Sequence, residues 1–491
     1  MTKAWNSVAR RLRSGPSLAV LAVTVPVLAL SAGLSAAVAE SLGDSLAATY
    51  KTNPRLDAAR ATLRATDEEV ARAKAGYRPT VTGTANAGYQ RTDTSPKTTT
   101  IDGETHPKGY GVNVVQPIFR GFRTLNGVRV AEATVRAGRE TLRTTEQAVL
   151  LEAVTAYMDV VRDQAIVKLR ENNVTVLSKE LKATQDRFSV GEVTRTDVAQ
   201  AEARRAAAVS ALDAAKSSLK TSRGAFERVV GHPPSNLKPQ KPQEKLLPRS
   251  LEEAIAIGSK ENPAVVGALY REQAAKHTVD VTYGELLPTV QLEAAYTHNY
   301  DTSRLIDEQE VSSVTGRVNI PLYPAGEVQA RVRQSKHTHV SRLQEIEQNR
   351  TETQSAVVAA WSQLVAARAQ LVSDRAQVAA TRTALAGVRE EERVGQRTLL
   401  DVLNAEQEAL NAEVSLVTTE RNLVVASYTV LSSIGRLTMP ELGTVEQVYD
   451  PEAHYFEVRR KWWGVSITRA DGRREHLELW DTHGSSHDSM K

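Results

Sequence analysis

The chain has 491 residues, with 62 Lys and Arg against 58 Asp and Glu, a formal net charge of +4, and aromatics at 5%. All of the excess charge lies in residues 1–39, where Lys3, Arg10, Arg11 and Arg13 meet no acid, so the remainder is near neutral and offers no case for nucleic acid. There is no cysteine, which excludes a disulfide framework, thiolate catalysis, Cys-ligated zinc and a lipid-modified N-terminal Cys.

Residues 1–39 have the three-part layout of a secretory signal: the basic start, an apolar run over 18–30, and Ala37-Val38-Ala39 before Glu40. The run is short for a permanent span, the alternative being a retained anchor. Asn53-Pro54 opens an Ala- and Arg-rich helix ending near Tyr77, since Pro suits a first helical turn where its missing N–H costs nothing. After Pro79 the period becomes two. Residues 80–90 alternate Val81, Gly83 and Ala85 with Thr82, Thr84 and Asn86, and residues 110–116 place Tyr110, Val112 and Val114 on one face. Such segments fit membrane β-strands with a polar lumen side and, equally, a half-buried soluble hairpin. The polar stretch 91–108 between them is expected to be an exposed loop, and Pro117 to end the second strand.

Residues 122–188 contain no Pro and run about 67 residues, near 100 Å as a helix. Val160, Val167, Val174, Leu181 and Phe188 recur every seven residues, which predicts coiled-coil packing. Val190-Gly191 then turns the chain into a shorter helix, 195–230, closed by Gly231. Everything recurs after a Pro-rich linker. Asn262-Pro263 opens a helix to about Leu287; Pro288 precedes a strand with Val290, Leu292, Ala294 and Tyr296 on one face. Residues 301–312 read as a second exposed loop, Val314, Gly316, Val318 and Ile320 as one face of a fourth strand, and Pro321 as its end. A second long helix, 327–394, leads to Val394-Gly395 and a return helix, 398–434. Tyr157 aligns with Trp361, Gly191 with Gly395, Asp197 with Asp401 and Gly231 with Gly435, all at one offset. The expected organisation is a signal peptide (1–39), a first repeat (40–231), an equatorial linker (232–250), a second repeat (251–435) and a C-terminal tail (436–491). In each repeat the helix before the strands and the helix after the turn add up to the length of the long helix, so the two are expected to stack as one column beside it.

Four strands cannot close a barrel, and unpaired edges are not tolerated in lipid, so membrane strands require an oligomer. A dimer gives eight strands around a filled interior; a trimer gives twelve around a lumen. Twelve helical columns about 10 Å apart enclose a ring roughly 38 Å across, against about 25 Å for eight. The secretory signal, duplicated halves, Pro-bounded hairpins, Pro117-Ile118-Phe119-Arg120-Gly121 and the two Val-Gly turns, each followed six residues later by Asp-Val, together resemble the TolC family of outer-membrane channels. The resemblance implies a mainly α fold with membrane β: a homotrimer with a 12-stranded β-barrel in the outer membrane of a Gram-negative cell, a helical barrel crossing the periplasm, and a mixed equatorial region. It implies a passive export duct with outer-membrane lipid around it, docking with a periplasmic membrane-fusion adaptor and an inner-membrane ABC or RND transporter. Tail residues Tyr449, Asp450, Pro451 and His454 resemble members paired with type I protein secretion. The alternatives are the outer-membrane factor of a multidrug efflux pump and, from another class, a periplasmic coiled-coil scaffold.

In the family the periplasmic end is closed by links near the turns. By motif, the resemblance places Arg397 at a tip arginine, Thr196 and Asp197 at its counterparts, Asp401 at a first acidic ring position and Asn404 at a second. Glu392 stands where the family has an aromatic, so that link is not carried over. Read from the residues alone, Arg397 and Asp197 are also solvated helix-end charges worth ~0–1 kcal/mol, and the run Glu390-Glu391-Glu392 a solvated face. His337 and His339 diverge on a helix and do not suggest a metal site. Tyr89, Tyr110, Phe119, Tyr296, Tyr300 and Tyr323 surround the strands as an interfacial belt would. No phosphate-binding loop, nucleophile elbow or cofactor motif is present, so no enzyme activity or cofactor is expected and the energy source belongs to a partner.

Overall fold

The computed structural model describes residues 40–94, 101–303, 305–443, 448–468 and 474–475. The expected secretory segment and the last part of the tail lie outside the described residues. The first repeat comprises α1 (Leu42–Thr52), α2 (Pro54–Lys74), β1 (Thr80–Ala87), β2 (Gln90–Thr94), β3 (Ile101–Thr105), β4 (Lys108–Arg120), α3 (Arg123–Ser189) and α4 (Arg195–Val230). The second comprises α5 (Leu251–Glu261), α6 (Pro263–Tyr283), β5 (Thr289–Ser303), β6 (Ile306–Asn319), α7 (Glu327–Arg393) and α8 (Leu399–Ser433). Short α9 (Met439–Leu442), α10 (Ala453–Val458), β7 (Ile467–Thr468) and β8 (Arg474–Glu475) follow.

The two long helices have 67 residues each, as expected, and their partners stack into columns. One asparagine per repeat makes the join. The Asn53 amide oxygen accepts from the Arg55 N–H, capping α2 above Pro54, while its amide nitrogen donates to the Val229 carbonyl at the end of α4, 3.0 Å away. Asn262 caps α6 in the same way and donates to the Ser433 carbonyl of α8 at 2.8 Å. A short polar side chain before Pro thus satisfies orphan groups of two helices at once.

At this level lies the main core. Tyr157, Phe226, Leu431 and Ile434 are fully buried, joined by Leu46 and Leu56 from the first two helices. Each large apolar side chain contributes about 1.5–3 kcal/mol on burial. The Tyr157 hydroxyl donates to the Lys238 carbonyl at 2.8 Å and accepts from the Lys238 N–H at 3.0 Å, fastening the Pro-rich linker to α3. Helices α1 and α5 were not anticipated. Their signals are Ser41 with Asp44 and Ser250 with Glu253, a Ser followed three residues later by an acid.

The strands form one antiparallel sheet in the order β1-β4-β5-β6, with β1 and β6 at its edges. Val81, Val112, Leu292, Val314 and Val318 share one exposed face, with Tyr110, Tyr296 and Tyr300 on the same side. Three expectations are corrected. Residues 91–108 are not simply a loop, because β2 and β3 pair antiparallel within them. Nor is 301–312: β5 continues to Ser303 and β6 begins at Ile306, so the hairpin is tight. Both stretches are polar, but strand propensity follows side-chain shape, and Thr-rich sequence fits a ladder well. Finally, Pro117 does not end β4. The strand runs on to Arg120 through a bulge, in which Phe119 rather than Ile118 sits opposite Val290, so the missing Pro N–H is absorbed without ending the sheet. Pro79 and Pro288 directly precede β1 and β5, and Pro321 lies just past β6.

Candidate functional site

The two Val-Gly turns close the far ends of α3 and α7, and they are built alike. Gly191 and Gly395 both have φ +80°, the left-handed conformation that ends a helix. In each turn the residue after the Gly donates its N–H back to a carbonyl in the last turn of the helix, Glu192 to Arg187 at 3.0 Å and Gln396 to Glu391 at 2.8 Å. The next helix then starts on a reciprocal cap. Thr194 and Asp197 exchange hydrogen bonds at the head of α4, and Thr398 and Asp401 do so at the head of α8. The backbone and side chain of Thr398 donating to it hold the Asp401 carboxyl below its ordinary range.

Within one chain, Arg397 does not meet Thr196 or Asp197. It donates to Glu391 of its own turn at 2.9 Å, which raises its already high pKa. Thr196 is exposed on the first turn of α4. Asn404 accepts from Arg204 at 2.7 Å, joining α8 to α4. The residues that sequence reasoning missed are those that bridge the repeats. Arg187 donates to Glu392 at 2.7 Å and also to Glu192 at 3.0 Å. Within the second repeat Arg389 donates at 2.5 Å to Glu406, whose other carboxylate oxygen is buried without a hydrogen-bond partner. Beside them Glu180 is pushed above the usual carboxylate range by burial and then by Glu406 and Glu392. Leu177, Ala201, Ala208, Leu399 and Leu403 form a small core beneath this charge layer. The run at 390–392 is therefore fully paired: Glu390 with Arg393, Glu391 with Arg397, Glu392 with Arg187. The available signal was Phe188, which occupies the position in the first repeat that Glu392 holds in the second.

Nearer the sheet, α2, α3, α6 and α7 together line an open cavity of about 860 Å³ whose wall includes Thr66, Thr134, Thr338, Arg271, Arg331 and Arg342. His339 is not free there; it contacts Glu272 of α6 at 2.6 Å.

A sheet with two open edges, continued by two helical hairpins and hollow on one side, is a sector of a closed barrel, and the class it defines is the outer-membrane channel. Residues 47–232 and 259–436 match the outer membrane efflux protein family. The chain is 40% identical over 440 residues to outer membrane efflux protein BepC of Brucella suis, covering 89% of this chain and 94% of that one. It is 24% identical over 337 residues to alkaline protease secretion protein AprF of Pseudomonas aeruginosa, covering 66% and 68%. The fold superposes on the Campylobacter jejuni CmeC outer membrane channel with a TM-score of 0.73 at 16% identity, over 85% of this chain and 89% of that one. The chain belongs to the outer membrane efflux protein family, the TolC family of channels. Three copies close the sheet into a 12-stranded barrel in the outer membrane and the helices into an α-barrel that extends into the periplasm.

Proposed function

We propose that this channel is the passive exit duct of a tripartite assembly, docking through its turns with a periplasmic adaptor and an inner-membrane ABC or RND transporter. The observation that supports it best is the pair of matching turns, each about 100 Å of helix away from the sheet. Type I protein secretion is the reading favoured by the AprF match and by the tail. Small-molecule efflux is the second reading, favoured by BepC, which matches at higher identity over nearly its whole length.

Under this proposal the rim of turns is the gate. Arg187 with Glu392 and Arg204 with Asn404 tie the two hairpins of one protomer. Arg397 reaches Thr196 and Asp197 of the adjacent hairpin when the rim closes, and Asp401 and Asn404 face the constriction. Single cysteines at the exposed Val190 and Val394 are expected to crosslink to the adaptor; no adduct at either turn would reject the docking site. Deleting the gene separates the two cargo readings. Loss of a secreted polypeptide with unchanged drug tolerance supports secretion, and the reverse pattern supports efflux.

A further inference from the structure

We propose that residues 459–467 lie on the periplasmic phospholipid leaflet of the outer membrane, forming a basic and aromatic foot beside the β-barrel. The placement follows from three contacts that climb α2 in order. His454 Nδ1 lies 3.1 Å from the Asp67 carboxylate, Lys74 Nζ donates to the Arg459 carbonyl at 3.5 Å, and the Arg78 guanidinium stacks 4.6 Å from the Trp462 ring. From Asp67 to Arg78 the path rises about 16 Å, and β1 starts two residues later at Thr80. The tail therefore arrives at the level where helix gives way to membrane strand.

It arrives on the outside. Tyr455 packs on Val70, Ala131 and Val135, with Arg139 paired to Glu452 at 2.5 Å. The cavity-lining Thr62 and Thr66 of α2 lie roughly 110° round the helix from Asp67 and Lys74, which hold the tail, and Val130 and Thr134 of α3 lie roughly 140° from Val135 and Arg139. The open edges of the sheet, β1 and β6, are where neighbouring subunits join it, while the tail packs on the helices α2 and α3.

The chemistry of the segment fits a headgroup layer. Trp462 and Trp463 are 64% and 88% exposed, and Val465 and Ile467 are exposed beyond them. Lys461 Nζ donates to the Ser466 carbonyl at 2.8 Å and Gly464 turns at φ +99°, so these side chains are held outward by a closed turn. Arg459, Arg460 and Lys461 precede them, the last two with Trp462 and Trp463 forming a compact basic and aromatic run. Tryptophan concentrates at bilayer interfaces, and Lys or Arg beside it engages anionic headgroups. The same level carries other exposed apolar side chains at the strand-helix junctions, Ile118, Phe122, Leu322 and Tyr323.

The absence of native cysteine allows a unique probe. A nitroxide on Val465→Cys, in the trimer reconstituted into phosphatidylethanolamine with phosphatidylglycerol, is expected to collide more with oxygen than with a water-soluble nickel complex. A label on Val190→Cys at the turn is expected to show the opposite. A Val465 label as accessible to nickel as the turn label would overturn the proposal in favour of solvent. Protection from both reagents would overturn it in favour of contact with a neighbouring subunit. Arg459→Gln with Arg460→Gln and Lys461→Gln, or omission of phosphatidylglycerol, is expected to move the label towards water; no movement in either arm would reject headgroup recognition by these charges.

Discussion

Arg187 donates to Glu392 across 2.7 Å, and the two residues end the long helices of different repeats. With side chains 39% and 19% exposed, the pair is worth about 1 kcal/mol after solvent screening, a roughly fivefold bias towards the paired arrangement of the two hairpins. Glu392→Gln and Arg187→Gln are each expected to raise single-channel conductance of the purified trimer. The double variant should add little to either, because both remove one interaction. Effects that simply sum would show the pair to be uncoupled.

Gly191 and Gly395 sit in open space, with nothing near the position a Cβ would take, so their requirement is conformational. Replacement of either by Ala is expected to cost about 1–2 kcal/mol at the turn. Hydrogen exchange should report similar loosening for the two variants, each confined to its own turn. A loss at one turn and none at the other would mean that the two motifs are not equivalent.

Glu180 supplies a pH dependence. Burial, then Glu406 and Glu392, raise its carboxyl above the ordinary 4.5, opposed by Arg389 and Arg187. A raised carboxyl binds its proton more tightly in the folded state, so its contribution to tip stability grows as pH falls through the folded value towards 4.5 and is missing at neutral pH. Glu180→Gln is therefore expected to slow amide exchange around residues 177–188 at neutral pH, with the advantage fading below 4.5. Faster exchange at neutral pH would show instead that Arg389 and Arg187 dominate its surroundings.

Tyr157→Phe removes one hydroxyl from a buried site where it serves the Lys238 carbonyl and N–H. The expected cost is about 1–3 kcal/mol, read as a lower melting temperature of the trimer and easier proteolysis of the linker. Retained melting with unchanged linker cleavage would place the anchor elsewhere.

The helices were legible because Pro and Gly are local signals: Asn53-Pro54, Gly231 and the 67-residue spans appear where those residues place them, whereas of the heptad positions Val160 is buried and Phe188 is exposed. The sheet was legible in its alternation but not in its length, since Thr and Asp at 91–108 read as loop while their backbone pairs. The bridging charges were not legible. Arg187 is 205 residues from Glu392, and only the packing of two hairpins side by side makes them neighbours. Nor does matching motifs by position supply the bond that Arg397 makes within one chain, to Glu391 of its own turn.

The joints at Asn53 and Asn262 give the two kinds of column different mechanics. α3 and α7 run unbroken from strand to turn, whereas their companions are each two pieces, clasped by the Asn amide together with Thr52 on the Val230 carbonyl in the first repeat and Arg436 on Glu261 in the second. A continuous helix keeps its direction through the backbone hydrogen bonds along it, whereas a jointed column keeps its direction through the side chains at its joint. The two pieces of each column are therefore kept in line by that clasp and by Tyr157, Phe226 and Ile434 of the core packed at the same level.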